Sequence, residues 1–414
     1  MLPTPRPNPW LTIFLPFALG YYLSYLLRTV NAVISPDLTA ELSLSAADLG
    51  LLTSAYFLTF ACAQIPLGIA LDRFGPRKVE GGLLLLAALG AAAFALGDSL
   101  TELGLARGLI GLGVSACLMA GLKGFAMWYL PERQTSMTGF IMAAGALGAL
   151  TATAPVEAML PLVGWRGVFW MIAAIATAVA VFIFVALPDE APHASNETVG
   201  EAFRAAGKIF VAPGFLRFAG SAVFFTGGFM ALQSLWAIPW MMNVNGLSLS
   251  QAAGNLLILN IGMLVGQLSI GMLGTRLARR GVSPANLMQV GFSAMLAVEA
   301  LILLRWGPVP VLWFLVGVLS SVNAQSYLAT SAGFPRAAFG RVSTAINLMA
   351  FVGAFGVQWG LGGVLDGLRH LGWETGASLS AAFAGLLVLQ LLALGPLWFG
   401  GRRPAGGDDA RTQP

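Results

Sequence analysis

Arg28 stands inside an apolar run, where its chemistry is tightly constrained. A cation at the centre of a lipid-spanning helix costs roughly 2.5 to 3.5 kcal/mol on insertion scales, so it must meet water, a partner or a ligand. Tyr21, Ser24, Tyr25, Arg28, Asn31 and Ser35 follow i, i+3, i+4, i+7 spacing and share one helix face. Such a stripe suits the wall of a cavity in which a guanidinium fork holds an anion. The alternative is that Arg28 lies shallow, close to Pro36, and snorkels outward. Further hydrogen-bonding groups inside apolar runs are Thr53, Tyr56, Gln64, Asn260, Asn323, Tyr327, Asn347 and Gln358. Some of these face the path and others knit helices together. No nucleophile and base set appears, so an enzyme is a remote option. Cys62 and Cys117 lie in apolar segments and His193 and His370 in separate polar ones, which leaves no metal site and no disulfide framework. No cofactor is expected.

The elements that must position these residues follow from composition. Of 414 residues 57% are hydrophobic and only 10% charged, less than half the roughly 25% usual in soluble domains. A water-soluble enzyme is excluded. The net charge of +4 is scattered between apolar spans, so nucleic acid is not a partner and the lipid bilayer is. Apolar windows place spans near 10–34, 47–71, 78–97, 101–129, 134–162 and 166–187, then near 214–243, 249–275, 284–305, 308–333, 341–369 and 375–400. The expectation is an all-α membrane protein. Its first six helices fall in 1–187, a linker in 188–213, six more in 214–400 and a tail in 401–414. Within the linker, Phe203, Arg204, Lys208, Ile209 and Phe210 suit a short helix on the membrane surface. One set of alternate loops carries Arg73, Arg77, Lys78, Arg133, Arg276, Arg279, Arg280 and Arg341 among others, the opposite set only Arg166, Arg305 and Arg369. That bias puts both termini in the cytoplasm.

The halves echo one another. Gly68-Ile-Ala-Leu-Asp72-Arg73-Phe-Gly75-Pro-Arg77-Lys78 ends the second span, and Gly271-Met-Leu-Gly-Thr275-Arg276 ends the eighth. Gly145 and Gly148 of the fifth recur as Gly353 and Gly356 of the eleventh. Related halves point to a transporter with its substrate site between them. The segment Gly68 to Lys78 resembles the signature loop of the major facilitator superfamily, G-x-x-x-D-R-x-G-x-R, at that family's place between helices two and three. Arg107-Gly-Leu-Ile-Gly111-Leu-Gly113 is similar to a second family pattern. The resemblance implies two six-helix bundles and a gate fastened by Asp72, Arg73 and Arg77, with Arg341 as a facing group. Gly68 is expected to let a neighbouring helix approach. The other reading is that these charges anchor a loop to headgroups.

The first span also resembles organic-anion and organophosphate carriers of that superfamily, whose phosphate members use a second arginine from helix seven. Here helix seven offers Gln233, Trp236 and Trp240 at i, i+3, i+7, with no cation among them. A carboxylate on Arg28 with the tryptophans packing an apolar body fits better than a phosphate ester. Equally, Trp236 and Trp240 merely pack between helices. Arg107, Glu102 and Glu157 sit toward the outer ends of neighbouring helices and are candidates for a buried charge group, with Glu157 as the proton carrier. A permanent ion pair is the structural alternative. Glu299 with Arg305 and Asp366 with Arg369 read as interfacial pairs. The expected protein is therefore a monomeric, proton-coupled carrier of a small organic anion in a bacterial inner membrane. Multidrug efflux and a non-transporting sensor are the rivals.

Overall fold

The structure is a computed structural model that describes residues 8–129, 131–188, 199–334 and 339–400. Eleven helices among the described residues are long and apolar enough to cross a membrane; another, Pro131–Thr151, holds the shorter apolar stretch Phe140–Thr151. No strand occurs among the described residues.

Helix α1 spans Trp10–Leu42. The run Ala46–Leu96 turns at Gly75 (φ 78°, ψ 161°), a backbone region that only glycine occupies without strain, and so divides into α2 (46–74) and α3 (76–96). Helix α4 consists of Leu100–Gly113 and Cys117–Trp128. Helix α5 is Pro131–Thr151 with its continuation 154–163, and Gly164 (φ 65°) hands the chain to α6 (165–186). A linker helix, Val199–Phe210, packs against α11 and the α2–α3 run. The remaining spans are α7 (Pro213–Asn243), α8 (Leu249–Arg279), α9 (Pro284–Leu303), α10 (Val309–Ser331), α11 (Phe339–His370) and α12 (Thr375–Phe399).

Local chemistry fixes several of these boundaries. Ser45 and Asp48 form a reciprocal capping box at the start of α2. The Ser99 hydroxyl accepts the Glu102 N–H at 3.3 Å, and the Ser283 hydroxyl accepts that of Asn286 at 3.1 Å, just before Pro284 opens α9. Helix α1 runs about two turns past its expected end because Pro36 does not stop it. Proline lacks the N–H that would bond the Ala32 carbonyl, and the Ser35 hydroxyl donates to that oxygen instead at 2.9 Å.

Alternating helix directions put the α2–α3 corner and the linker at one end of the bundle, the basic end, and the α1–α2, α3–α4 and α11–α12 loops at the other, the far end. Helices in lipid associate by close backbone approach, which small residues permit. A side chain at Gly148 would run into the Tyr22 carbonyl where α5 crosses α1, and one at Gly353 into the Val223 carbonyl where α11 crosses α7. Corresponding helices of the two sequence halves thus make corresponding crossings. Large apolar residues such as Leu89, Val185, Val290 and Leu392 stay exposed around the bundle, as a lipid-facing surface requires.

Candidate functional site

Arg28 is buried, 5% exposed, and points into the bundle rather than toward lipid. Its guanidinium carbon lies 4.4 Å from the Tyr25 ring centroid, 5.4 Å from that of Phe351 and 5.9 Å from that of Phe60. Phe60 of α2 and Phe351 of α11 stack at 4.1 Å, so one ring from each half floors the cation. Tyr56 holds α2 to α1 by donating to the Ser24 carbonyl at 3.2 Å. Tyr21, Tyr25 and Tyr56 are the titratable groups grouped around the guanidinium. Its Nε has no hydrogen-bond partner, and one turn further along α1 neither amide atom of the buried Asn31 has one. An unsatisfied guanidinium Nε one turn from an unsatisfied amide has the chemistry to receive an anion that also carries a hydroxyl or carbonyl.

Only part of the expected binding set meets there. Tyr327 lies within electrostatic reach of Arg28 and donates to the Asn347 amide oxygen at 2.7 Å, while Asn347 donates to Gln64 of α2 at 3.4 Å. Asn323 is taken up by the Thr226 hydroxyl at 2.9 Å. Gln233 donates to Asn260 at 2.6 Å. The tryptophans pack between helices, as their alternative reading had it: the Trp236 N–H donates to the Gln358 carbonyl at 3.0 Å, and Trp240 stacks on Phe383 of α12 at 4.4 Å inside the second half. The apolar surface beside Arg28 is Tyr25, Phe60 and Phe351 instead.

The expected charge group does not assemble either. The Arg107 guanidinium donates to the Leu27 carbonyl at 3.0 Å and lies near the Tyr56 and Phe94 rings. Glu102 is exposed and accepts the Asp98 N–H at 2.9 Å, which makes it part of the cap of α4. Glu157 meets the Ser250 hydroxyl of α8 at 3.4 Å. Two interfacial pairs also give way. Glu299 is buried with neither carboxyl oxygen partnered, rather than paired with Arg305. Asp366 ignores Arg369 and accepts the N–H groups of Ala46 and Ala47, at 3.1 and 2.6 Å, on the first turn of α2.

That last contact belongs to a seal across the far end. The Gln358 amide donates to the Thr53 hydroxyl of α2 and accepts from Ser234 of α7 at 3.1 Å. Gly50 lies so near the Gln358 carbonyl that a Cβ there would stand 2.7 Å from it. Glu157–Ser250 and Asn260 with the Ala149 carbonyl add α5–α8 links. At the basic end, Arg73 is exposed and lies 5.5 Å from the Phe74 ring, and Arg77 donates to the Phe184 carbonyl of α6. Among the described residues nothing lies within 4 Å of where a Cβ at Gly68 would stand, so its expected role as a close helix contact is not seen there. The side chains of Asp72 and Thr275, with residues 189–198 and 401–414, lie outside the described residues. Arg341 is exposed at the start of α11.

Phe60, Phe351 and Glu80 are not among the residues singled out from sequence, and Asp366 was expected to pair with Arg369; Gln358 is one of the amides that knit helices together. For Glu80 a signal existed: a glutamate among the leucines and glycines of the third span.

The chain is 29% identical over 187 residues to a probable L-galactonate transporter of Escherichia coli strain K12, covering 45% of this chain and 41% of that one. Against the hexuronate transporter of the same strain it is 28% identical over 181 residues, covering 43% and 42%. The chain thus spans about two fifths of the length of these relatives. Its fold matches the solved structure of a bacterial homolog to the human lysosomal transporter Spinster, in an inward-facing and occupied conformation, with a TM-score of 0.74 at 18% identity over 96% of this chain and 98% of that one. The family model described as Major Facilitator Superfamily matches residues 17–358. With repeated helix crossings, a buried arginine between the halves and a family match over most of its length, the chain belongs to the Major Facilitator Superfamily of membrane transporters.

Proposed function

We propose that this chain carries a small organic acid across a bacterial inner membrane by alternating access, with the carboxylate of the solute paired to Arg28. The observation that carries the reading is Arg28 itself, buried between helices of both halves with ring faces around it and an unsatisfied Nε. A buried cation without a fixed anion is costly, and a solute carboxylate supplies the missing charge in a geometry the planar fork matches. Asn31 takes a hydroxyl of the solute, and the cation that α7 does carry, Arg217, stands on its first turns and donates to the Leu397 carbonyl at 3.0 Å, which argues for a monoanion on Arg28 alone. Two relatives named for an acid sugar support the same class.

In this reading both termini face the cytoplasm and the far end faces the periplasm, so the molecule is closed to the outside in this state. The solute is moved with protons and the working unit is a monomer. Purified protein in proteoliposomes loaded with unlabelled glucuronate should take up labelled glucuronate by counterflow, and Arg28→Ala should abolish it. Glucuronate binding without counterflow would point to a sensor. Counterflow of equal rate in Arg28→Ala would reject the anion site and favour an amphiphile exporter.

A further inference from the structure

Glu80, on the first turn of α3 beyond the Gly75 corner, is completely buried, and neither of its carboxyl oxygens has a hydrogen-bond partner. Its room comes from α1: a Cβ at Gly20 would collide with the Glu80 carboxyl oxygen. The Cys117 thiol of α4 is the titratable group within its electrostatic reach. The cations on neighbouring segments turn elsewhere. Arg77 donates to Phe184 on α6, Lys78 is exposed, Lys123 of α4 donates to the Leu71 carbonyl at 2.9 Å and Arg107 donates to Leu27. An ionised carboxylate with no partner at bilayer depth is far costlier than the neutral acid. This packing admits Glu80 as the acid, and admits its anion only when helices part and water enters.

The wall that confines Glu80 is the helix that carries the anion site. Gly20 directly precedes Tyr21, and Ser24, Tyr25 and Arg28 lie further along the same helix. A shift of α1 that opens Arg28 to solute also moves Gly20 off the carboxyl group. We propose that Glu80 is the proton-binding group of this carrier. Its carboxylate takes one proton from water to become the neutral acid as α1 closes over it, and returns that proton to water when α1 moves away. The proposal rests on the reading of the chain as a proton-linked organic-acid carrier and replaces Glu157, which joins α5 to α8, as the coupling residue.

Two transport assays on the full chain separate the proposal from that reading. Wild type, Glu80→Gln and Glu299→Gln are compared for glucuronate counterflow without a gradient and for accumulation driven by an imposed pH gradient. Glu299 is the control, a second buried carboxyl lining a cavity with Gln390, Trp313 and Phe383 among helices of the second half. Expected are counterflow in all three and a loss of gradient-driven accumulation by about tenfold in Glu80→Gln alone. Undiminished accumulation in Glu80→Gln, or its loss only in Glu299→Gln, overturns the Glu80 assignment while leaving the carrier intact. Absence of wild-type counterflow overturns the carrier and the coupling role together. Infrared spectra give a readout independent of transport. The protonated-carboxyl band of the wild type at neutral pH should lose intensity in Glu80→Gln, and an unchanged band overturns the proposal.

Discussion

Arg28 is surrounded by three tyrosines and two phenylalanines, so ring faces and hydroxyl dipoles stabilise its charge in place of a carboxylate. Such contacts tolerate any cation, whereas a solute carboxylate needs the two parallel N–H groups of a guanidinium. Arg28→Lys should therefore stay folded yet bind glucuronate more weakly. Losing one charge-assisted hydrogen bond costs about 1.5 to 3 kcal/mol, or ~10- to 150-fold in Kd. Titration calorimetry of wild type and variant checks this, and equal affinities would place the carboxylate elsewhere. The same residue was readable from sequence because a cation in an apolar run has few permitted environments. Its ring partners were not. Phe60 and Phe351 are two of 26 phenylalanines, and only the fold shows which of them meet across the halves.

At the scale of the element, α7 shows why a correct span can still mislead about its faces. Gln233, Trp236 and Trp240 share one face of a regular helix, but α7 contains π-helical stretches at Ala222–Gly227 and Leu232–Trp236. Each π turn adds a residue to the turn and rotates the helix beyond it, so Gln233, which meets Asn260 of α8, no longer shares a face with the tryptophans, which address α11 and α12. A similar limit explains Glu102 and Arg107. Five residues apart, they point in different directions, and Glu102 serves the helix start instead. The corner at Gly75 was legible, since its motif carries a glycine there and the backbone adopts φ 78°. Gly75→Ala should cost about 1 to 3 kcal/mol of stability. The midpoint of thermal unfolding in detergent should fall accordingly, and an unchanged midpoint would show that the α2–α3 corner relaxes without glycine.

For the whole molecule, spans, repeat and family were legible because lipid imposes its own length and polarity on every helix. The closure of one end was not, because it rests on contacts between residues more than three hundred positions apart. Asp366 serves as a second, long-range cap for α2: its carboxylate accepts two N–H groups at a helix start, where the helix dipole favours negative charge. Close by, Gln358 joins α2, α7 and α11. Opening the far end must break both contacts. Asp366→Ala removes only the cap, a change of about 1 to 2 kcal/mol, so the ratio of far-end-open to far-end-closed molecules should rise roughly 5- to 30-fold. Spin labels on Ala40 and His370, both exposed at the far ends of α1 and α11, report that ratio in a background with Cys62 and Cys117 replaced by serine. Longer distances should gain population in Asp366→Ala, and Asp366→Asn, which can still accept one N–H, should fall between. Identical distributions in all three would mean that the cap is a consequence of closure rather than its cause, and that Gln358 and the α2–α11 glycine contacts suffice to keep the far end shut.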